Sequence, residues 1–244
     1  MEKVIGIEYI ESIGIKETIC TTRMGNKIHI LNNGKKYKEF SEDYQDLNDP
    51  LNIEFKDTLI NQTKEYNHKL VSFPEAVVIN KNILKGIITN YEIGEKLIDI
   101  VKHLTIEELI LIIKELEEGI LDISKKGWIL EDLHEENILI NLDKITGMTK
   151  IIDTDYYSLE KISSMKEALE NYRKNLKNIF FTIIYTIIPN LRNLSFYNKE
   201  FELYYILASQ GEIKPSEFLL MLIKKAKLNN SKEEYVSTLQ KRLH

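Results

Sequence analysis

The chain has 244 residues, with 33 Lys and Arg against 38 Asp and Glu, a formal charge of −5. Its hydrophobic fraction of 43% and charged fraction of 29% are those of a globular chain and exclude wholesale disorder, while 10 glycines and 4 prolines exclude collagen-like and Gly/Pro-rich classes. The basic residues are scattered over an acidic chain, which argues against a nucleic-acid partner, and the single cysteine, Cys20, excludes an internal disulfide.

The opening residues, MEKVIGIEYIE, show no apolar h-region and no small-residue cleavage site. The longest apolar run, residues 179–188 (IFFTIIYTII), is far short of the ~20 residues a membrane helix needs and reads as a core helix. A cytoplasmic protein without a membrane partner is the expectation. Cys20 has no base placed beside it and is expected to be a small buried hydrophobe rather than a nucleophile.

Residues 4–10 are expected to form the first strand. Residues 28–31 (IHIL), the turn Asn32-Asn33-Gly34 and residues 36–40 (KYKEF) predict a hairpin, because an Asn-Gly step accommodates the positive φ of a tight turn. The polar, periodic stretch 53–66 predicts a helix. A second hairpin follows, from residues 76–79 (AVVI), the turn Asn80-Lys81-Asn82 and residues 84–89 (LKGIIT). The first half thus reads β-β-β-α-β-β. A short join at residues 92–96 (EIGEK) separates two expected lobes, 1–93 and 94–244.

In the second half Thr105 caps a helix and Glu108 completes its capping box. Leu109, Ile112, Ile113, Leu116, Ile120 and Ile123 recur at helical spacing, and Gly127 ends the helix. Residues 137–140 and 150–152 predict a small hairpin. From Glu160 onward the pattern is helical, with breaks at Pro189 and Pro215, the latter at a helix start.

The segment 127–159 carries the chemistry. A hairpin brings its outer ends together, so Asn137 before the first strand and Asp153 after the second become neighbours, with Asp132 over the same end. Two acidic oxygens and an amide carbonyl at one spot suit a hard cation such as Mg²⁺, which takes one or two carboxylates together with substrate phosphates. A further carboxylate can orient or deprotonate a hydroxyl, and that arrangement serves phosphoryl transfer. Asp155 is either an extra ligand or a turn residue.

Residues 127–140, with Asp132 and Asn137 spaced as in H-R-D-L-x-x-x-N, resemble the catalytic loop of the protein-kinase-like superfamily. Residues 151–155 (IIDTD) are similar to the segment that carries D-F-G. The form D-L-H-x-x-N, residues 132–137, resembles that of aminoglycoside- and choline-type phosphotransferases and of compact bacterial kinase-like proteins. The resemblance spans about residues 10–160 and implies an α+β, two-lobed kinase-like fold, with a small antiparallel-sheet N-lobe, a mainly helical C-lobe and ATP-Mg²⁺ between them. It implies Asp132 as catalytic base, with His134 where protein kinases place a lysine near the γ-phosphate. Asn137 and Asp153, with Asp155 as the further candidate, would hold Mg²⁺. Lys38 would contact the α/β-phosphates of ATP, Gly14 would belong to the phosphate-covering loop, and Asn90, Tyr91 and Glu92 would offer backbone groups to adenine. Glu54 or Glu65 would pair with Lys38.

The sequence departs from the family pattern in several places. Leu130-Glu131 replaces the His-Arg pair, Asp155 the glycine of D-F-G, and no A-P-E segment is visible. The implied activity is ATP- and Mg²⁺-dependent transfer of a phosphoryl group to a hydroxyl, most simply a protein Ser or Thr. The alternatives are a small-molecule phosphotransferase of the aminoglycoside or choline type, and a nucleotide-binding pseudokinase or scaffold.

Overall fold

The computed structural model describes residues 3–41, 46–144, 147–188, 194, 198–228 and 234–243. The chain is mixed α+β and divides into two compact units, Met1–Glu92 and Ile93–His244.

In the first unit six strands form one sheet. They are β1 (Val4–Gly6), β2 (Ile15–Thr21), β3 (Lys27–Leu31), β4 (Lys36–Glu39), β5 (Ala76–Asn80) and β6 (Ile83–Thr89), in the spatial order β1-β5-β6-β4-β3-β2. β1 runs parallel to β5 and the other neighbours are antiparallel. Successive side chains on a strand point to opposite faces, so the sheet can bury both. On one face Ile10 of α1 (Ile7–Ile13) packs with Leu31, Tyr37, Val78 and Ile88. On the other, Leu59 of α2 (Pro50–Gln62) packs with Phe40, Val77, Leu84 and Ile87. Asp49 caps α2 by accepting from the Leu51 amide at 2.9 Å, and Pro50 opens its first turn.

The expected first strand over residues 4–10 stops at Gly6. Ile7, Ile10 and Ile13 recur every third residue and form one face of α1 instead. β2 lacks any expectation from the sequence because it lies at the sheet edge and is exposed along its length, so no buried alternation marks it. Cys20 lies on that strand and is exposed, not buried, because no second layer covers this edge.

The second unit is mostly helical. After α3 (Leu97–Ile100), α4 (Ile106–Lys125) begins with the expected capping box: Thr105 Oγ1 accepts from the Glu108 amide at 3.2 Å, and Glu108 Oε2 accepts from the Thr105 amide at 2.8 Å. Its buried stripe, Leu109, Ile112, Ile113, Leu116, Ile120 and Ile123, gives it a core face, and α4 packs on α5 (Met165–Ile187). Ile179, Phe180, Ile183, Ile184 and Ile187 of α5 are fully buried, so the apolar run is a core helix. α6 (Lys199–Ser209), α7 (Pro215–Lys225) and α8 (Val236–Leu243) follow. Pro215 opens α7 as expected, and Glu117 of α4 caps that helix by accepting from the Ser216 amide at 2.7 Å and hydroxyl at 2.9 Å. Pro189 lies outside the described residues.

Two small sheets complete this unit. β7 (Glu95–Lys96), β9 (Ile138–Ile140) and β10 (Thr149–Ile151) lie in the order β10-β9-β7. β8 (Trp128–Ile129) pairs with β11 (Ser158–Leu159) in antiparallel register. Among the described residues no helix is long and apolar enough to cross a membrane.

Candidate functional site

The segment that follows α4 is held by its backbone. Gly127, at φ 95°, lies so close to the chain at Glu160 that a Cβ would overlap the Glu160 carbonyl oxygen, and the Glu160 amide donates to the Gly127 carbonyl at 2.9 Å. α5 supplies the rest through polar side chains at helical spacing. Asn171 Nδ2 donates to the Gly127 carbonyl at 3.4 Å. Asn175, fully buried, donates to the Trp128 carbonyl at 2.9 Å and to Ser124 Oγ at 2.8 Å, and accepts from the Leu130 amide at 2.8 Å. Asn178 donates to the Leu130 carbonyl at 2.7 Å, and the Thr182 hydroxyl to the Leu133 carbonyl at 2.8 Å. Residues 127–133 thus hang on a rigid helix, which fixes where Asp132 begins.

A 3₁₀ turn, Glu135–Asn137, carries the chain into β9, and the Asn137 amide donates to the His134 carbonyl at 2.9 Å. Asn137 then joins three segments. Its Nδ2 donates to the Asp132 carbonyl at 3.2 Å, and its own carbonyl accepts from the Ile152 amide at 2.9 Å. Asp153 follows at once, so Asp132, Asn137 and Asp153 meet at one end of the β9–β10 hairpin. Because the Asn137 nitrogen is committed to Asp132, the amide oxygen is the end that can meet a cation.

Asp153 has φ 61°. The other described non-glycine residues with positive φ are Lys81, in the β5–β6 turn, and Lys227, just past α7, both ordinary places for it. Asp153 follows a strand, where the left-handed region costs about 1–2 kcal/mol, although Asp tolerates it better than most residues. Such outliers gather at functional sites. Asp132 is exposed, Asp153 half-buried, and Asn137, Thr154, Asp155 and Tyr157 are buried. Burial and, after it, the charges of Asp132, Asp153 and Asp155 hold the Tyr157 phenol well above its ordinary range. His134 precedes the 3₁₀ turn and is half-buried; its carbonyl belongs to the turn.

The remaining sequence candidates lie in the first unit. Tyr37 and Ile88 belong to the α1 face, so Lys38, next to Tyr37 and in register with Ile28 and Ile87, points to the α2 face, where it is 3% exposed. Gly86 makes room for this strand: at φ 152° it lacks the Cβ that would overlap the Lys38 carbonyl oxygen. Glu54 does not face that sheet. It lies about 140° around α2 from Leu59, at 100° per residue, and is exposed. Glu65, in the 3₁₀ turn after α2, is half-buried. Gly14 is not in a strand-connecting loop but closes α1, its amide donating to the Ile10 carbonyl at 2.8 Å. The β2–β3 turn, one strand earlier than that of Lys38, carries Gly25, at φ 80°. Asn90 and Glu92 are engaged through side chains: Lys35 Nζ donates to Asn90 Oδ1 at 2.6 Å, and the Ser72 hydroxyl to Glu92 Oε1 at 3.2 Å. Tyr91 is exposed.

Among the described residues no group of three or more His, Cys, Asp and Glu side chains is arranged to hold a metal ion by itself. The donors at the hairpin end are an amide oxygen and carboxylates. Their oxygen chemistry fits Mg²⁺ where substrate phosphates complete the sphere, and does not amount to a closed protein cage. The sequence reading passed over Tyr157 and Asn175. Both are buried polar residues in segments where polarity suggests solvent, and the helical spacing of Asn171, Asn175, Asn178 and Thr182 along one face of α5 is the signal that marks the latter. No protein-family model matches the chain, and no curated protein matches its sequence.

Proposed function

We infer that the chain is an ATP- and Mg²⁺-dependent phosphotransferase that acts on a hydroxyl group. The observation that carries this reading is the bond between the Ile152 amide and the Asn137 carbonyl, 2.9 Å long, which gathers Asp132, Asn137 and Asp153 at one hairpin end. When bound, Mg²⁺ supplies charge neutralisation at the transferring phosphate, and Asn137 and Asp153 are the residues to hold it. Asp132 is exposed, which suits a carboxylate that accepts the proton of an incoming hydroxyl. The same reading assigns Lys38 to the α/β-phosphates and His134 to the γ-phosphate.

One observation bears on the acceptor. Only residues 154–164 separate Asp153 from α5, and they are tied down by the β8–β11 pairing and by the bond from the Glu160 amide to Gly127. That leaves little chain on which to lay a peptide, and it favours a small-molecule alcohol over the Ser or Thr of a protein.

The test is ATP consumption and label transfer from γ-labelled ATP with Mg²⁺, with and without simple polyols and amino alcohols. Wild type is compared with Asp132→Asn and Asp153→Ala. Turnover by the wild type that falls by about 10²-fold or more in both variants is the expected outcome. The same trace rate in all three proteins overturns the enzyme reading and leaves a nucleotide-binding or scaffolding role.

A further inference from the structure

Tyr157 is 1% exposed, and its hydroxyl has no hydrogen-bond partner among the described residues. Buried phenol hydroxyls ordinarily find one, because leaving the donor unmatched forfeits its hydration without return. The residue closes a tight turn: its amide donates to the Thr154 carbonyl at 3.1 Å, immediately before β11 begins at Ser158. The same turn carries Asp153 and Asp155, and the charges of both, with that of Asp132, act on the ring. Ionised carboxylates only accept hydrogen bonds. A buried donor without a hydrogen-bond partner among the described residues therefore shares its turn with two carboxylates, those of Asp153 and Asp155.

We propose that Tyr157 is a positioning residue for a divalent cation: with the cation bound, its hydroxyl donates to a carboxylate oxygen of the 153–155 turn and fixes how that carboxylate faces the metal. The inference rests on the cation reading above and adds a residue to it. Without a cation the phenol hydroxyl has no hydrogen-bond acceptor among the described residues. A cation that draws a carboxylate of the 153–155 turn toward itself reorients that carboxylate and brings an acceptor to the hydroxyl. Partners of this kind, one step behind the ligands, set ligand orientation, and losing one weakens metal affinity by about 10–100-fold.

The test uses Mn²⁺ as the probe, titrated into the full chain with a non-hydrolysable ATP analogue and read by electron paramagnetic resonance. Thermal unfolding is recorded in parallel in chelator. Wild type is compared with Tyr157→Phe and Asp153→Asn. The expected result is saturable binding by wild type, none by Asp153→Asn, and binding weakened about 10–100-fold in Tyr157→Phe. In chelator, Tyr157→Phe should melt at or above the wild-type temperature, because Phe removes an unmatched donor at nearly constant volume. Equal Mn²⁺ affinity in wild type and Tyr157→Phe overturns the positioning role while leaving the cation site standing. A clearly lower melting temperature in chelator overturns it too, since the hydroxyl would then be serving the metal-free fold. No saturable Mn²⁺ binding by wild type overturns both the cation reading and the role of Tyr157.

Discussion

The carbonyl oxygen of Asn137 accepts the amide hydrogen of Ile152 one residue beyond the last ladder pair of the β9–β10 hairpin, Ile138 with Ile151. Strand register therefore ties Asn137 to Ile152, the residue before Asp153, and the left-handed backbone of Asp153, at φ 61° and outside the ladder, sets where the Asp153 side chain leaves the chain.

Asn137→Ala should separate chemistry from stability. The bond from Nδ2 to the Asp132 carbonyl is long, at 3.2 Å, and its loss should cost no more than about 1 kcal/mol. On the proposed function, ATP turnover should fall by about 10²-fold, since the substitution removes the amide oxygen assigned to Mg²⁺. Urea unfolding beside a steady-state assay checks the split; an equal, small effect on both would remove Asn137 from the site.

Asn175→Ala should behave in the opposite way. It strands the Leu130 amide and the Trp128 carbonyl in the interior, at about 1–3 kcal/mol for each unmatched group. A loss of about 2–4 kcal/mol, seen as a lower urea midpoint at unchanged slope, is the expected outcome. Turnover should drop with it, because residues 127–133 lose their anchor.

Gly127→Ala should destabilise the chain by about 2 kcal/mol or more, because the added methyl meets the Glu160 carbonyl in a backbone conformation that L side chains avoid. Gly34→Ala is the matched control. Its φ is 79°, but open space surrounds it, so it should cost only the conformational part, about 1 kcal/mol.

Glu117 gives a pH test of the helical unit. Burial holds its carboxyl above the ordinary carboxylate range, against the opposing hydrogen bonds from Ser216 and the charge of Lys214. A carboxyl raised in the folded state binds protons more readily there than in the unfolded chain. Its contribution is thus fully present below the unfolded pKa and is lost as pH rises through the folded one. Glu117→Gln should therefore gain stability relative to wild type between acid and neutral pH. Denaturation midpoints at the two ends of that range check the sign, and a constant difference would contradict it.

The elements that could be read in advance announce themselves locally. Thr105 and Glu108 cap α4, the Asn33-Gly34 step turns the β3–β4 hairpin, and Pro215 opens α7. Strand β2 could not be read because neither of its faces is buried, and residues 7–10 differ from the expected strand because β-branched residues suggest a strand where their threefold spacing makes a helix. Asp132, Asn137 and Asp153 are legible because turn residues flank short apolar strands. The unmatched hydroxyl of Tyr157 is not, since satisfaction of a donor is a property of three-dimensional neighbours. The places of Gly14, which closes α1, and Glu54, on the exposed side of α2, are not legible either, because a residue type and an approximate position do not say where a helix ends or which way it faces.

The polar stripe of α5 has a consequence for how such a chain can change. Asn171, Asn175, Asn178 and Thr182 grip the 127–133 segment by its carbonyls and one amide, and touch none of its side chains through these bonds. The grip is blind to residue identity. Side chains at Glu131 and Asp132 can be exchanged, and a different reactivity installed there, while the helix keeps presenting the same peptide path.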